Sequence, residues 1–190
     1  MKKFLFIAIL AIMSQTTAFA QETEKKSASK TVEFLSKDGS FFKKEFYDLP
    51  AVGGSFNKVD CQVLIISDLK TNEKRGCLRL KTYFGTSSTG ETYIGTLDPD
   101  ELDACIMCFE KIVSEITVTP APTYTEVEYK TRDGVQLGSY WNDKKSEWKT
   151  YVQTKSYTTH SMSSVSNDNV ASLISNLKQA KQMIAEKTAK

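Results

Sequence analysis

The chain has 190 residues, with 25 Lys and Arg against 23 Asp and Glu and one histidine, for a formal charge of +2. An apolar share of 40% suits a folded, core-forming chain and excludes an intrinsically disordered one. The near-balanced charge lacks the basic excess by which a protein grips phosphate backbones.

Residues 1–20, MKKFLFIAILAIMSQTTAFA, carry the marks of a secretory signal peptide. Lys2 and Lys3 form a positive start, Phe4 to Met13 an apolar run too short to span a bilayer, and Ala18-Phe19-Ala20 a small-x-small cleavage pattern. Cleavage is expected between Ala20 and Gln21, and no cysteine follows to take a lipid anchor. Its loss removes two lysines and no acid, so the charge falls to zero. With no transmembrane segment after signal removal, the expected location is secreted or periplasmic. Residues 21–30, QETEKKSASK, read as a flexible leader.

Two stretches match: VEFLSKDG at 32–39 and VEYKTRDG at 127–134. Each reads as a strand, an Asp-Gly turn and a returning strand, so the chain is expected to repeat internally. The first copy sets Phe34 opposite Phe42. Residues 48–58 and 85–91 read as loops from their Gly and Ser content. Between them, 60–69 and 76–84 flank a polar turn at 71–74, with Val63 and Ile65 expected opposite Thr82 and Leu80. Cys77 then lies opposite Asp68. Both alternating sets of 60–69 are apolar, which predicts a strand covered on both faces.

Asp98 suits an N-cap, Pro99 the first helical position, and Glu101 completes a capping box. Leu102, Cys105, Phe109, Ile112, Val113 and Ile116 then form one helical stripe. TVTPAPTY at 117–124 ends this helix as a stiff linker.

In the second copy, a three-residue Arg132-Asp133-Gly134 loop sets Thr131 opposite Val135, Tyr129 opposite Leu137 and Val127 opposite Ser139. The next hairpin pairs Trp141 with Trp148 and Ser139 with Thr150. A helix starting at Ser166 or Asn167 carries the stripe Val170, Leu173, Ile174, Leu177, Ala180 and Ile184. The expected fold is α+β, made of tandem β-β-β-β-α repeats. A first unit at 31–117, a linker at 118–123 and a second unit at 124–188 form one compact domain. Each antiparallel sheet has one amphipathic helix, and the units pack about a pseudo-twofold axis.

This element order resembles the whirly and Pur-repeat proteins, whose tandem four-strand-plus-helix units bind single-stranded nucleic acid. The resemblance implies that function by fold analogy, against the charge and the export signal. DPDELDACI and YTEVEYKTRDGVQLG look like segments of uncharacterised exported bacterial proteins, which implies no activity.

Four cysteines in an exported chain allow three disulfide pairings. Cys105 and Cys108 have dithiol spacing, but Asp100, Glu101 and Asp103 crowd the helix start and oppose a thiolate. Zinc would need Cys61, Cys77 or His160 to join them, and strand parity puts Cys61 and Cys77 on opposite faces. No metal or cofactor is therefore expected. Cys61 and Cys105 are expected as buried thiols, or as the pair placed to meet in a disulfide.

His160 has Ser161, Ser163 and Asp168 near it in sequence, but no nucleophile, metal-helix or phosphate-loop motif is present. The outer face of the second unit collects Glu126, Glu128 and Lys130, then Gln136 and Tyr140, then Lys149 and Tyr151. Gly138 leaves a gap between Glu128 and Tyr151. Exposed tyrosine rings beside a gap suit a glycan or a partner protein chain. The expected function is a non-catalytic binding or structural module. The alternatives are a hydrolase with an unrecognised site and single-stranded nucleic-acid binding.

Overall fold

The computed structural model describes residues 29–53, 58–85 and 89–189. The signal peptide, the Ala20/Gln21 cleavage site and the leader up to residue 28 lie outside the described residues. No described helix is long and apolar enough to cross a membrane.

A short helix α1 (Lys30–Leu35) precedes β1 (Phe42–Val52), β2 (Val59–Asp68), β3 (Lys74–Phe84), β4 (Glu91–Leu97) and α2 (Pro99–Lys111). The second unit has β5 (Glu126–Lys130), β6 (Gln136–Asn142), β7 (Glu147–Gln153), β8 (Met162–Val165) and α3 (Asn167–Thr188). Each set of four strands makes one antiparallel sheet in sequence order. The fold is α+β with two sheet-and-helix units, as the element order predicts.

The helices are exchanged between the sheets. α3 lies across β1, β2 and β3 of the first sheet, while α2 packs on β5 and β6 of the second and against α3. Gly76 of β3 permits this approach, since a Cβ there would stand 2.8 Å from the Ile184 side chain. Asn176 of α3 donates to the Pro50 carbonyl at 2.7 Å, and the Tyr129 hydroxyl of β5 donates to the Glu101 carbonyl at 3.2 Å. One core results. Cys61, Val63, Leu78 and Leu80 meet Leu173, Leu177 and Ile184, and the same cluster takes in Leu102, Cys105, Phe109, Leu137 and Val152. Each fully buried aliphatic side chain contributes about 1.5–3 kcal/mol.

The sheets join along β3 and β4. A Cβ on Gly95 would lie 2.5 Å from the Thr154 carbonyl oxygen and against the Val135 side chain. Thr82 Oγ1 bonds Thr154 Oγ1 at 2.8 Å and donates to the Ser161 carbonyl at 2.9 Å. Asp133 accepts from the Thr96 backbone N–H at 2.8 Å and from Lys155 Nζ at 3.1 Å.

The first unit departs from its expected detail. Residues 30–35 are helical, and the Ser29 hydroxyl caps α1 by accepting from the Val32 N–H at 3.3 Å. Ser29 and Lys30 therefore belong to α1 rather than to a leader. Asp38-Gly39 lies between α1 and β1, whereas Asp133-Gly134 closes the β5–β6 hairpin. The two matched segments are thus not structural equivalents, and the repeat resides in the order of elements. Phe34 does not pair with Phe42 across strands, although their rings pack at 5.2 Å. α1 instead covers the second face of β2, burying Phe34 with Leu64, Ile66 and Cys77. That accounts for both apolar sets of this strand.

Asp48–Val52 continues β1 instead of looping, with a bulge between Leu49, opposite Cys61, and Val52, opposite Val59. Glu91 opens β4. β2 and β3 pair with Val63 opposite Leu78 and Ile65 opposite Gly76, so Cys77 faces Leu64. The turn closes early because Asp68 Oδ1 accepts from the Lys70 N–H at 2.8 Å and Asn72 takes a left-handed φ of 60°. The slip is even, so Cys61 and Cys77 remain on opposite faces.

The capped start of α2 is as expected, with the Glu101 carboxylate accepting from the Asp98 N–H at 3.0 Å. Its last turn widens into a π-turn over Ile112–Ile116. Every second-unit register given above is present. Gly134 takes φ 85°, Thr131 N–H donates to the Val135 carbonyl at 2.8 Å, and Trp141 meets Trp148 edge-on at 5.7 Å.

Candidate binding face on the second sheet

α2 and the core take one face of β5–β7, which leaves the alternate residues facing out. Glu126, Tyr140 and Lys149 lie in one cross-strand row, and Glu128, Gly138 and Tyr151 in the next. The Arg-Asp-Gly turn sets the β5–β6 part of each row, and the β6–β7 hairpin sets the rest.

Tyr151 is not an exposed ring but 4% exposed. It lies over Gly138, where a Cβ would stand 3.0 Å from its hydroxyl oxygen and 2.5 Å from the Val127 carbonyl. The expected gap is therefore filled by Tyr151 itself, the nearest large side chain across the pair. Its hydroxyl donates to Glu128 Oε2 at 3.0 Å. Burial, with Glu128 beside it, pushes this phenol well above its ordinary value. Tyr151 is thus a backstop and not a docking ring.

The accessible rings are Tyr140, half-buried, and Tyr124, 56% exposed. Tyr124 and Tyr140 sit 6.4 Å apart and Tyr140 and Tyr151 6.2 Å, making a tilted ladder of three. The Tyr124 hydroxyl donates to Glu126, which pushes its pKa up to about 12. Gln136 donates to Glu128. Sequence reasoning missed Tyr124 because it precedes β5, yet its spacing of two from Glu126 in extended chain was the available signal.

A groove of about 440 Å³ adjoins the ladder. Tyr140, Asn142, Lys145 and Lys149 of the β6–β7 hairpin line it together with Ser164 of β8 and Asn169 of α3. Gly53, from the first unit, completes it. Lys149 Nζ holds Glu147 at 2.9 Å.

The remaining candidates have structural surroundings. All four cysteines are free thiols. Burial pushes Cys61 up to about 11, and Cys77 and Cys105 up to about 12. Cys61 and Cys105 share the main core, whereas Cys77 lies under α1. Among the described residues, no group of three or more His, Cys, Asp or Glu side chains is placed to hold a metal ion. His160 stacks flat on Phe84 at 3.8 Å. The buried Ser161 hydroxyl stands 2.8 Å from both the Lys155 and Thr158 carbonyls, which commits its proton to the loop backbone.

The first sheet's outer face interleaves its charges. Arg79 lies over Phe46 at 5.5 Å and donates to Gln62, which donates to Asp48 at 2.6 Å. Lys58 and Lys81 both pair with Asp60. No family model, curated protein or solved structure matches this chain.

Proposed function

We propose that this chain is an exported, non-catalytic binding module whose ligand, a glycan or a partner protein chain, docks on the outer face of the second sheet. The observation that carries this reading is the accessible pair Tyr124 and Tyr140, backed by the buried Tyr151 and bordering a polar groove. A rigid aromatic face beside amides, hydroxyls and ammonium groups gives contact area and orientation without a reacting group.

The hydrolase alternative draws no comparable support. A serine nucleophile needs its proton shared with a base, and Ser161 gives its proton to backbone carbonyls. Nucleic-acid binding favours an uninterrupted cationic track, and the carboxylates Asp48 and Asp60 interrupt that of the first sheet.

The test is a screen of residues 21–190 against glycan and peptide libraries, repeated with Tyr140→Ala. Binding that is lost in Tyr140→Ala while Tm is unchanged supports the reading. Tyr151→Ala should lower Tm, because it empties the space over Gly138. Ligands whose binding ignores Tyr140 would overturn the assignment of this face.

A further inference from the structure

The groove beside Tyr140 has two cations, Lys145 and Lys149, and no acid among its described lining residues. Four other grooves each include an acid: Glu73, Glu33, Glu147, and Asp48 with Asp60. In a chain of nearly balanced charge, Lys145 beside a Lys149 that Glu147 neutralises only in part gives this concavity a local positive field. Lys145 has no ion-pair partner among the described residues. Lys149 gives one contact to Glu147, and an ammonium group has three donors.

The rest of the lining is neutral and directional. Tyr140 presents part of its ring, Asn142 an amide, and Ser164 an exposed hydroxyl. Asn169 donates its amide nitrogen to Ser166 Oγ at 2.7 Å, which leaves its carbonyl oxygen to accept. A pyranose ring has an apolar C–H face for the tyrosine and hydroxyls for the amides. The volume lies within the range of small-ligand sites, about 300–1,000 Å³. Lysines are the groups that separate a charged sugar from a neutral one.

We infer that this groove binds a carboxylated sugar, a hexuronate unit of an acidic glycan, with the carboxylate between Lys145 and Lys149 and the ring against Tyr140. The inference rests on the reading of this face as a binding site and adds the charge of the ligand. Tyr140 supplies affinity common to neutral and acidic sugars, and the lysines supply the preference.

The experiment is an NMR titration of ¹⁵N-labelled residues 21–190. The probes are oligogalacturonate and hyaluronan oligosaccharides, the methyl esters of both, and neutral oligosaccharides of the same length. The expected shifts fall on Tyr140, Asn142, Lys149 and Asn169. The free acids should bind on the order of tenfold tighter than their esters, a preference that shrinks as salt is raised. Lys145→Gln and Lys149→Gln should each weaken the acids roughly 2- to 5-fold and leave the esters unchanged. Tyr140→Ala should weaken both.

Equal binding of acid and ester, indifferent to both lysine variants, would overturn the charge preference and leave the binding face standing. A peptide that shifts the groove when no sugar does would overturn the sugar and retain the face. No groove shift with any probe or library ligand would overturn both.

Discussion

Replacing Asp98 with alanine tests the tie that holds α1 to both units. The carboxylate has no solvent exposure. It accepts from Ser29 Oγ at 3.1 Å, Lys30 N at 2.7 Å, Thr31 N at 3.1 Å and Thr31 Oγ1 at 2.7 Å. It also accepts from Arg132 Nη2 at 2.9 Å. Each hydrogen bond to a charged group contributes about 1.5–3 kcal/mol net, but the five do not add. Arg132 keeps Asp100 and Glu101 as partners, and water can reach Lys30 once the carboxylate is gone. The donors that stay buried are those of Ser29 and Thr31. The expected loss is therefore at least about 1–3 kcal/mol, the cost of leaving a buried donor without its partner.

The docking of α1 sets a ceiling on that loss. If Phe34 leaves Leu64, Ile66 and Cys77 before the core melts, urea unfolding will register only the docking energy. Urea denaturation should be combined with native-state hydrogen exchange. The Lys30, Thr31 and Val32 amides should lose protection first. A stability change below about 1 kcal/mol with those amides still protected would refute the reasoning.

Gly95→Ala places a methyl group 2.5 Å from a backbone carbonyl that cannot rotate away, so urea denaturation should show a loss of about 1–3 kcal/mol or more. Arg132, with Lys30, holds the Asp100 carboxyl well below the usual carboxylate range. A depressed value stabilises the fold above the unfolded-chain pKa of about 3.9, and that stability is lost as pH falls from there through the lower folded-state value. Asp100→Asn should accordingly show a shallower stability loss than the parent on acid titration followed by circular dichroism. Because each helix lies on the other unit's sheet, residues 29–117 or 118–190 expressed alone should lack cooperative unfolding, and mixing the two should restore it. Independent folding of either half would contradict the exchange.

Much of the local structure was legible in the sequence. Arg132-Asp133-Gly134 specifies a hairpin whose register follows from the turn and brings the cross-strand pairs of β5 and β6 with it, while the next hairpin, with Trp141 opposite Trp148, brings those of β6 and β7. Asp98-Pro99 with Glu101 marks the start of α2, and the stripes of α2 and α3 mark their buried faces. The row Glu126, Tyr140, Lys149 was readable for the same reason, since alternation in a strand assigns faces. What the sequence could not decide involves partners distant along the chain. An apolar stripe says that a helix face is buried but not against which sheet, so the exchange of α2 and α3 came only from the fold. The segment from Val32 to Leu35 reads as a strand from its match to residues 127–130. Lys30–Leu35 is a helix because the Asp98 carboxylate, 68 residues away from Lys30, receives its first amides, and because Leu64, Ile66 and Cys77 need covering. Tyr151 likewise alternates as an outward residue, and only the bare backbone of Gly138 beside it draws the ring down and makes it part of the packing.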